Sequence, residues 1–203
     1  MASNRLVCQL PTARVSSQRA TLEMPVYGED EYEFARFVGH PDAPSPFRGP
    51  PSPAVDEMWN SLWADNMLVS EREYALSQPQ DRRAGVYGAS STSQGFFATF
   101  ESTHQLHCLY NLFRASHVDY YEPERKFLLH NPEKYHARLD HCTEILRQKL
   151  MCDADASIVT YAWGNDTESY EADFSVLHQC RNYETLLDWS RKHSATGAVF
   201  TRD

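Results

Sequence analysis

The sequence predicts a single α+β domain, mainly helical, in which paired histidine-bearing helices and a few short strands are braced by disulfides. Three observations lead there. A chain of 203 residues suffices for one well-buried core and is short for two. Apolar residues recur at helical spacing in several long segments, whereas β-branched and aromatic runs are few and short. Two of the helical segments, HQLHC at 104–108 and HARLDHC at 136–142, each end in a His-Cys pair.

The elements follow in order. Residues 1–24 lack periodicity and read as a flexible arm, and 25–203 as the domain. Its first part, 25–53, contains DAPSPFRGPPSP and reads as a proline-rich strap, because prolines exclude helix interiors and favour extended backbone. Ser52 and Pro53 then supply an N-cap and a first-turn proline. Behind them Val55, Met58, Trp59, Leu62 and Trp63 form one apolar helical stripe. Ser70 with Glu73 reads as a capping box opening a short helix. The Phe96–Phe100 end of a Gly/Ser-rich stretch reads as a strand. Helices are expected from about His104 to His117, Pro132 to Cys152, and Asn182 to His193. SIVTYAW, between the last two, is β-branched and aromatic and reads as a strand.

Composition excludes some functions. The formal net charge of −9, without a Lys/Arg cluster, repels nucleic-acid backbones and anionic membranes. No stretch approaches the roughly 20 apolar residues of a membrane span, and the polar N-terminus does not read as a signal peptide. No GxGxxG, P-loop, HExxH or serine-nucleophile elbow is present, which argues against nucleotide-dependent and hydrolytic chemistry.

The histidines carry the chemistry. At about 100° per residue, His104, His107 and Cys108 share one helix face, opposite the core stripe of Leu106, Leu109, Tyr110 and Phe113. Two imidazoles at i and i+3 can converge on one metal ion, and imidazole suits copper, zinc, iron or nickel. An isolated HxxH is more often a solvated polar face. On the later helix, however, Arg138, His141 and Cys142 repeat the spacing, with arginine at the first place. His136 points about 140° away from His141. A third fragment, LHQC, adds His178 and Cys180.

HQLHCL, then LDHCTEILRQKLMCDAD, then HQC followed by LLDW, with PPSPAVDEMW upstream, resembles the UstYa-type family of fungal natural-product tailoring proteins. The ordered fragments run from about Pro50 to Trp189. The resemblance implies oxidative cyclisation, dehydrogenation, hydroxylation or halogenation of a peptide or small-molecule metabolite, with copper as the metal. It also implies a membrane anchor, work in the secretory lumen, and a homo- or heterodimer with a related protein. His104, His107 and Cys108 match the first HxxHC motif in full, and His141 and Cys142 match the second. Arg138 departs from it. A guanidinium stays protonated and is not an ordinary metal ligand, so either a ligand is missing and the chemistry altered, or His136 or His178 substitutes, or Arg138 holds an anionic substrate group or a halide. The catalytic candidates are therefore His104, His107, His141 and Arg138, and the metal candidates His104, His107, His141, His178 and His136.

Cys108, Cys142, Cys152 and Cys180 are expected to form two disulfides that tie these helices together. Thiolate-ligand and buried-thiol roles remain the alternatives in a reducing compartment. Asn165-Asp166-Thr167 is a glycosylation sequon, in keeping with a secretory route. A non-catalytic partner subunit, favoured by Arg138, a metal-independent cyclase or isomerase that uses Arg138 or a histidine in acid–base chemistry, and a disulfide-stabilised domain with a structural zinc are the rival functions.

Overall fold

The structure is a computed structural model that describes residues 32–64, 66–77, 86–88, 94–164 and 169–195. The arm at 1–24 and the sequon lie outside the described residues. The elements run β1 (Tyr32–Arg36), α1 (Pro53–Ser61), β2 (Met67–Val69), α2 (Glu71–Leu76), β3 (Val86–Gly88), β4 (Gln94–Ala98), α3 (Glu101–Ser116), α4 (Glu122–His130), α5 (Pro132–Asp153), β5 (Thr160–Trp163), β6 (Tyr170–Asp173), β7 (Leu177–Arg181) and α6 (Tyr183–Lys192).

Local chemistry sets the helix starts. The Ser52 hydroxyl accepts the Val55 amide at 3.3 Å, and Pro53 occupies the first turn, where its missing N–H has no helical partner to lose. At α2 the capping box is complete. Ser70 Oγ accepts the Glu73 amide at 3.3 Å, and the Glu73 carboxylate accepts the Ser70 amide at 2.7 Å. Asn182 caps α6 through the Thr185 amide at 3.0 Å. The sequence offers no element between His117 and Pro132, yet α4 forms there with a proline in its first turn. Its pattern is weak because only Phe127, Leu128 and Leu129 are apolar.

The strands make three small antiparallel sheets, β1–β7, β2–β4–β3 and β5–β6. The first closes the proline-rich strap onto the C-terminal half: Tyr32 pairs with Arg181 and Arg36 with Leu177. Just beyond it, Gly39 presses on the Phe174 backbone so closely that a Cβ would sit 2.3 Å away, so no larger residue fits. The central sheet is pinned to the end of α6, where the Leu68 amide donates to His193 O at 3.0 Å.

The core lies on both sides of α3. Trp59 of α1, only 7% exposed, stacks on Tyr110 at 5.4 Å and donates its indole N–H to Phe47 O at 3.0 Å. Asp56 accepts both the Tyr110 and Tyr121 hydroxyls, at 2.8 and 2.6 Å. Burial first, then the Asp56 carboxylate, push the Tyr110 phenol up to about 12. On the opposite side Cys108 and Cys142, 1% and 2% exposed, fill the α3–α5 interface. The helix is thus buried on two faces, and Leu109, expected in the core, is 45% exposed between them.

The expected disulfides are not found. Cys108, Cys142, Cys152 and Cys180 are all free thiols. The pairing fails for a geometric reason: Cys108 faces Cys142 as a hydrogen-bonding thiol, Cys152 lies ten residues further along α5, roughly 15 Å by helical rise, and Cys180 sits on β7. Helix packing, with cysteine as a small buried apolar residue, takes the place of covalent bracing. Alkylation distinguishes the sites. Burial first, then Cys142 and Glu101, push the Cys108 thiol up to about 12, so it carries almost no reactive thiolate at neutral pH. Brief iodoacetamide treatment followed by peptide mapping is expected to label exposed Cys152 and spare Cys108 and Cys142; prompt labelling of Cys108 in the folded protein would contradict its placement.

Candidate metal centre

Helices α3 and α5 pack against each other across this interface. His104 faces His141 near one end, while Arg114 and Arg138 meet further along at Glu124 of α4. His104 and Cys108 lie one turn apart on α3 and project to the same side because four residues nearly complete a turn. Opposite them α5 presents His141, with the two imidazole rings 5.4 Å apart between centroids. One ligating atom from each of His104, Cys108 and His141 lies within 4.8 Å of the other two.

The orientation of His104 follows from its neighbours. Its Nε2 is 3.7 Å from Cys108 Sγ, and its Nδ1 is 3.8 Å from a Glu101 carboxylate oxygen. A carboxylate on the Nδ1 side favours the tautomer whose lone pair sits on Nε2, facing the trio, which is how metal-bound histidines are usually held. Two imidazoles and a sulfur are a donor set that suits copper or zinc. Cys108 is buried, His104 half-buried and His141 exposed, so the trio opens to solvent on the His141 side. Binding would have to displace the Cys108 proton, whose release burial opposes in the metal-free protein.

The other candidates are placed differently. His107, one residue before Cys108 on α3, is exposed and not part of the trio, and stands edge-on to Trp63 at 5.9 Å. Partial desolvation, then the charges of His104, Arg138 and Arg114, lower its pKa and favour the neutral imidazole. His136 is exposed and stands edge-on to Tyr135. His178 is half-buried on β7, stacked on Phe37 at 3.7 Å, with its Nδ1 2.7 Å from Asp155. Neither His136 nor His178 joins the trio.

Arg138 is turned away from the trio. It hydrogen-bonds to Glu124 Oε2, while Arg114 reaches Glu124 Oε1 at 3.2 Å, so one carboxylate with its side chain 8% exposed bridges two guanidiniums. Aromatic rings flank both: Tyr110 and Tyr121 at Arg114, Phe127 and Tyr135 at Arg138. Glu124 and Arg114 gave no sign in the sequence, because their partnership joins three helices and has no fixed spacing. Cys108 gave a sign that pointed to a disulfide.

The chain matches the family described as "Mycotoxin biosynthesis protein UstYa" over residues 1–193. It is 30% identical over 172 residues to the "UstYa family oxidase phomYc'" of Diaporthe leptostromiformis, covering 84% of this chain and 60% of that protein. It is 28% identical to the "UstYa family oxidase aprY" of Aspergillus flavus, covering 76% of this chain and 49% of that protein. A third relative, the "Hydroxylase cctR" of Talaromyces islandicus, is 28% identical over 69% of this chain and 49% of its own length. The chain therefore spans between about half and two-thirds of these curated relatives. No solved structure matches. The family match runs from the N-terminus through α6 and includes every residue of the trio and of the Glu124 bridge, and the chain belongs to the UstYa family.

Proposed function

We propose that this chain is an oxidoreductase of fungal secondary metabolism that oxidatively modifies a peptide-derived metabolite, with copper held by His104, Cys108 and His141. The observation that carries the reading is the trio itself, two imidazoles and a thiol within 4.8 Å on packed helices, in a chain whose relatives include proteins named as oxidases and a hydroxylase. Copper, when bound, supplies one-electron exchange with dioxygen. The protein's own part is to fix the donors on rigid helices, with Glu101 orienting His104, and to leave one side open at exposed His141. His107, favoured in the neutral form one residue before Cys108, is available to accept a proton or to add a donor. The exposed aromatic strands β5 and β6, with Tyr161, Trp163 and Tyr170, support an apolar or peptide-like substrate.

The test is turnover by the full chain loaded with copper in air, offered a panel of linear and cyclic peptides and read by mass spectrometry. Loss of two hydrogens or gain of one oxygen, absent under nitrogen and absent in His104→Ala, is the expected result. Unchanged turnover in chelator under nitrogen would replace the oxidase reading with a metal-independent cyclase or isomerase. One observation favours a second reading. Glu124 takes up Arg138, so α5 brings a single imidazole to the trio. On that reading the chain is a non-catalytic partner, and activity emerges only when a related protein is mixed with it.

A further inference from the structure

Around Glu124 the charges do not balance and the donors are not all used. Arg114 and Arg138 bring two positive charges to one carboxylate, which leaves a surplus of one. Each guanidinium gives a terminal nitrogen to Glu124. A guanidinium donates in parallel pairs, so a shared carboxylate takes one prong of each fork. The other prong is unmatched: Arg114 Nε and Arg138 Nε are both buried without a hydrogen-bond partner among the described residues. So is the hydroxyl of Tyr135, a residue only 3% exposed whose ring lies 5.4 Å from the Arg138 guanidinium carbon. Three buried donors without an acceptor among the described residues, at a site of net positive charge, are an arrangement that costs free energy unless an acceptor arrives. The three donor atoms themselves are buried, but the rest of the Arg138 and Arg114 side chains, 35% and 25% exposed, borders solvent, so an anion reaches the donors by displacing part of those side chains.

We propose that the Arg114–Glu124–Arg138 cluster, with the Tyr135 hydroxyl, is a binding site for a singly charged anion, either a free halide or the carboxylate of a substrate. One negative charge neutralises the surplus, and the anion accepts from the Nε–H groups and the phenol. The family's second motif would place a histidine at 138; here the arginine links the trio-bearing helix to an anion instead. The inference does not depend on the metal reading.

The experiment uses metal-free full chain, so that its failure leaves metal binding untouched. Chloride-35 NMR line broadening reads halide exchange on the wild type, Tyr135→Phe, Arg138→Lys and, as a control, Lys149→Gln on the exposed face of the same helix. The wild type and Lys149→Gln are expected to broaden the line equally. Tyr135→Phe is expected to weaken binding about tenfold, the effect of removing one hydrogen bond to a charged group, and Arg138→Lys at least as much. Tyr135→Phe loses a hydroxyl with no partner among the described residues, so unchanged thermal unfolding in anion-free buffer shows that it still folds. Competition by an acetylated peptide acid but not by its C-terminal amide assigns the site to a carboxylate; broadening that neither displaces assigns it to a free halide. No broadening by wild type together with no displacement of its melting temperature by formate or bromide would overturn the proposal, as would equal binding by wild type and Tyr135→Phe.

Discussion

Replacing His141 by alanine is expected to lower copper or zinc affinity by at least about 100-fold, more than the tenfold to 100-fold typical of losing an outer-shell partner. The trio has three protein donors, and His141 is the only one contributed by α5. With it gone, His104 and Cys108 remain on one helix, without a third donor from across the interface. Titration against a chelator of known affinity measures the change. Cys108→Ser should behave like His141→Ala, because a hydroxyl is a poor substitute for a thiolate toward these metals. Glu101→Gln should fall in the smaller range, since it only orients His104. His136→Ala and His178→Ala should leave affinity unchanged, the first being exposed against Tyr135 and the second paired with Asp155. Retained affinity in His141→Ala, or a large loss in His178→Ala, would mean that the ion is held elsewhere.

Glu124→Ala is expected to destabilise the fold by about 2–3 kcal/mol, at or just below the roughly 3–5 kcal/mol of breaking a fully buried ion pair, because both arginines keep some contact with water. Removing the carboxylate strands two guanidiniums among aromatic rings at the junction of α3, α4 and α5. Urea unfolding provides the measurement, with Glu122→Ala as the comparison. Glu122 pairs with Lys126 at 2.8 Å with both side chains well exposed, and its loss should leave the midpoint essentially where it was. If the two variants unfold alike, the bridge contributes no more than a surface pair. Because α4 holds Glu124 between α3 and α5, Glu124→Ala is also expected to loosen the interface on which the trio sits. A fall in metal affinity smaller than that of His141→Ala should accompany the stability loss.

The two substitutions separate the chemistry of the site from the packing that presents it. The trio is assembled by two helices whose facing surfaces are filled by Cys108 and Cys142, and the Glu124 bridge fastens the same pair further along. A variant that breaks the bridge acts through position. One that removes an imidazole acts through the donor set itself.

Much of this was legible in the chain. The caps at Ser52 and Ser70 act over three residues, so spacing alone discloses them. The stripe containing Trp59 and the His-Cys endings of two helices are likewise local patterns, and with the order of the motifs they placed the chain in its family. Other features required the tertiary structure. Whether Cys108 meets a sulfur, a metal or a helix depends on which helix crosses α3 and in which direction. Arg138 has a partner fourteen residues earlier, on a helix with only a faint apolar pattern. His178 finds Asp155 across a connection of 23 residues. A periodic pattern states which face a side chain occupies, but not what the fold brings to that face. The sequence therefore determined the elements and the candidate donors; packing of α3, α4 and α5 decided that His104, Cys108 and His141 converge while Arg138 turns to Glu124, because contacts between helices follow the crossing of their axes and have no fixed separation along the chain.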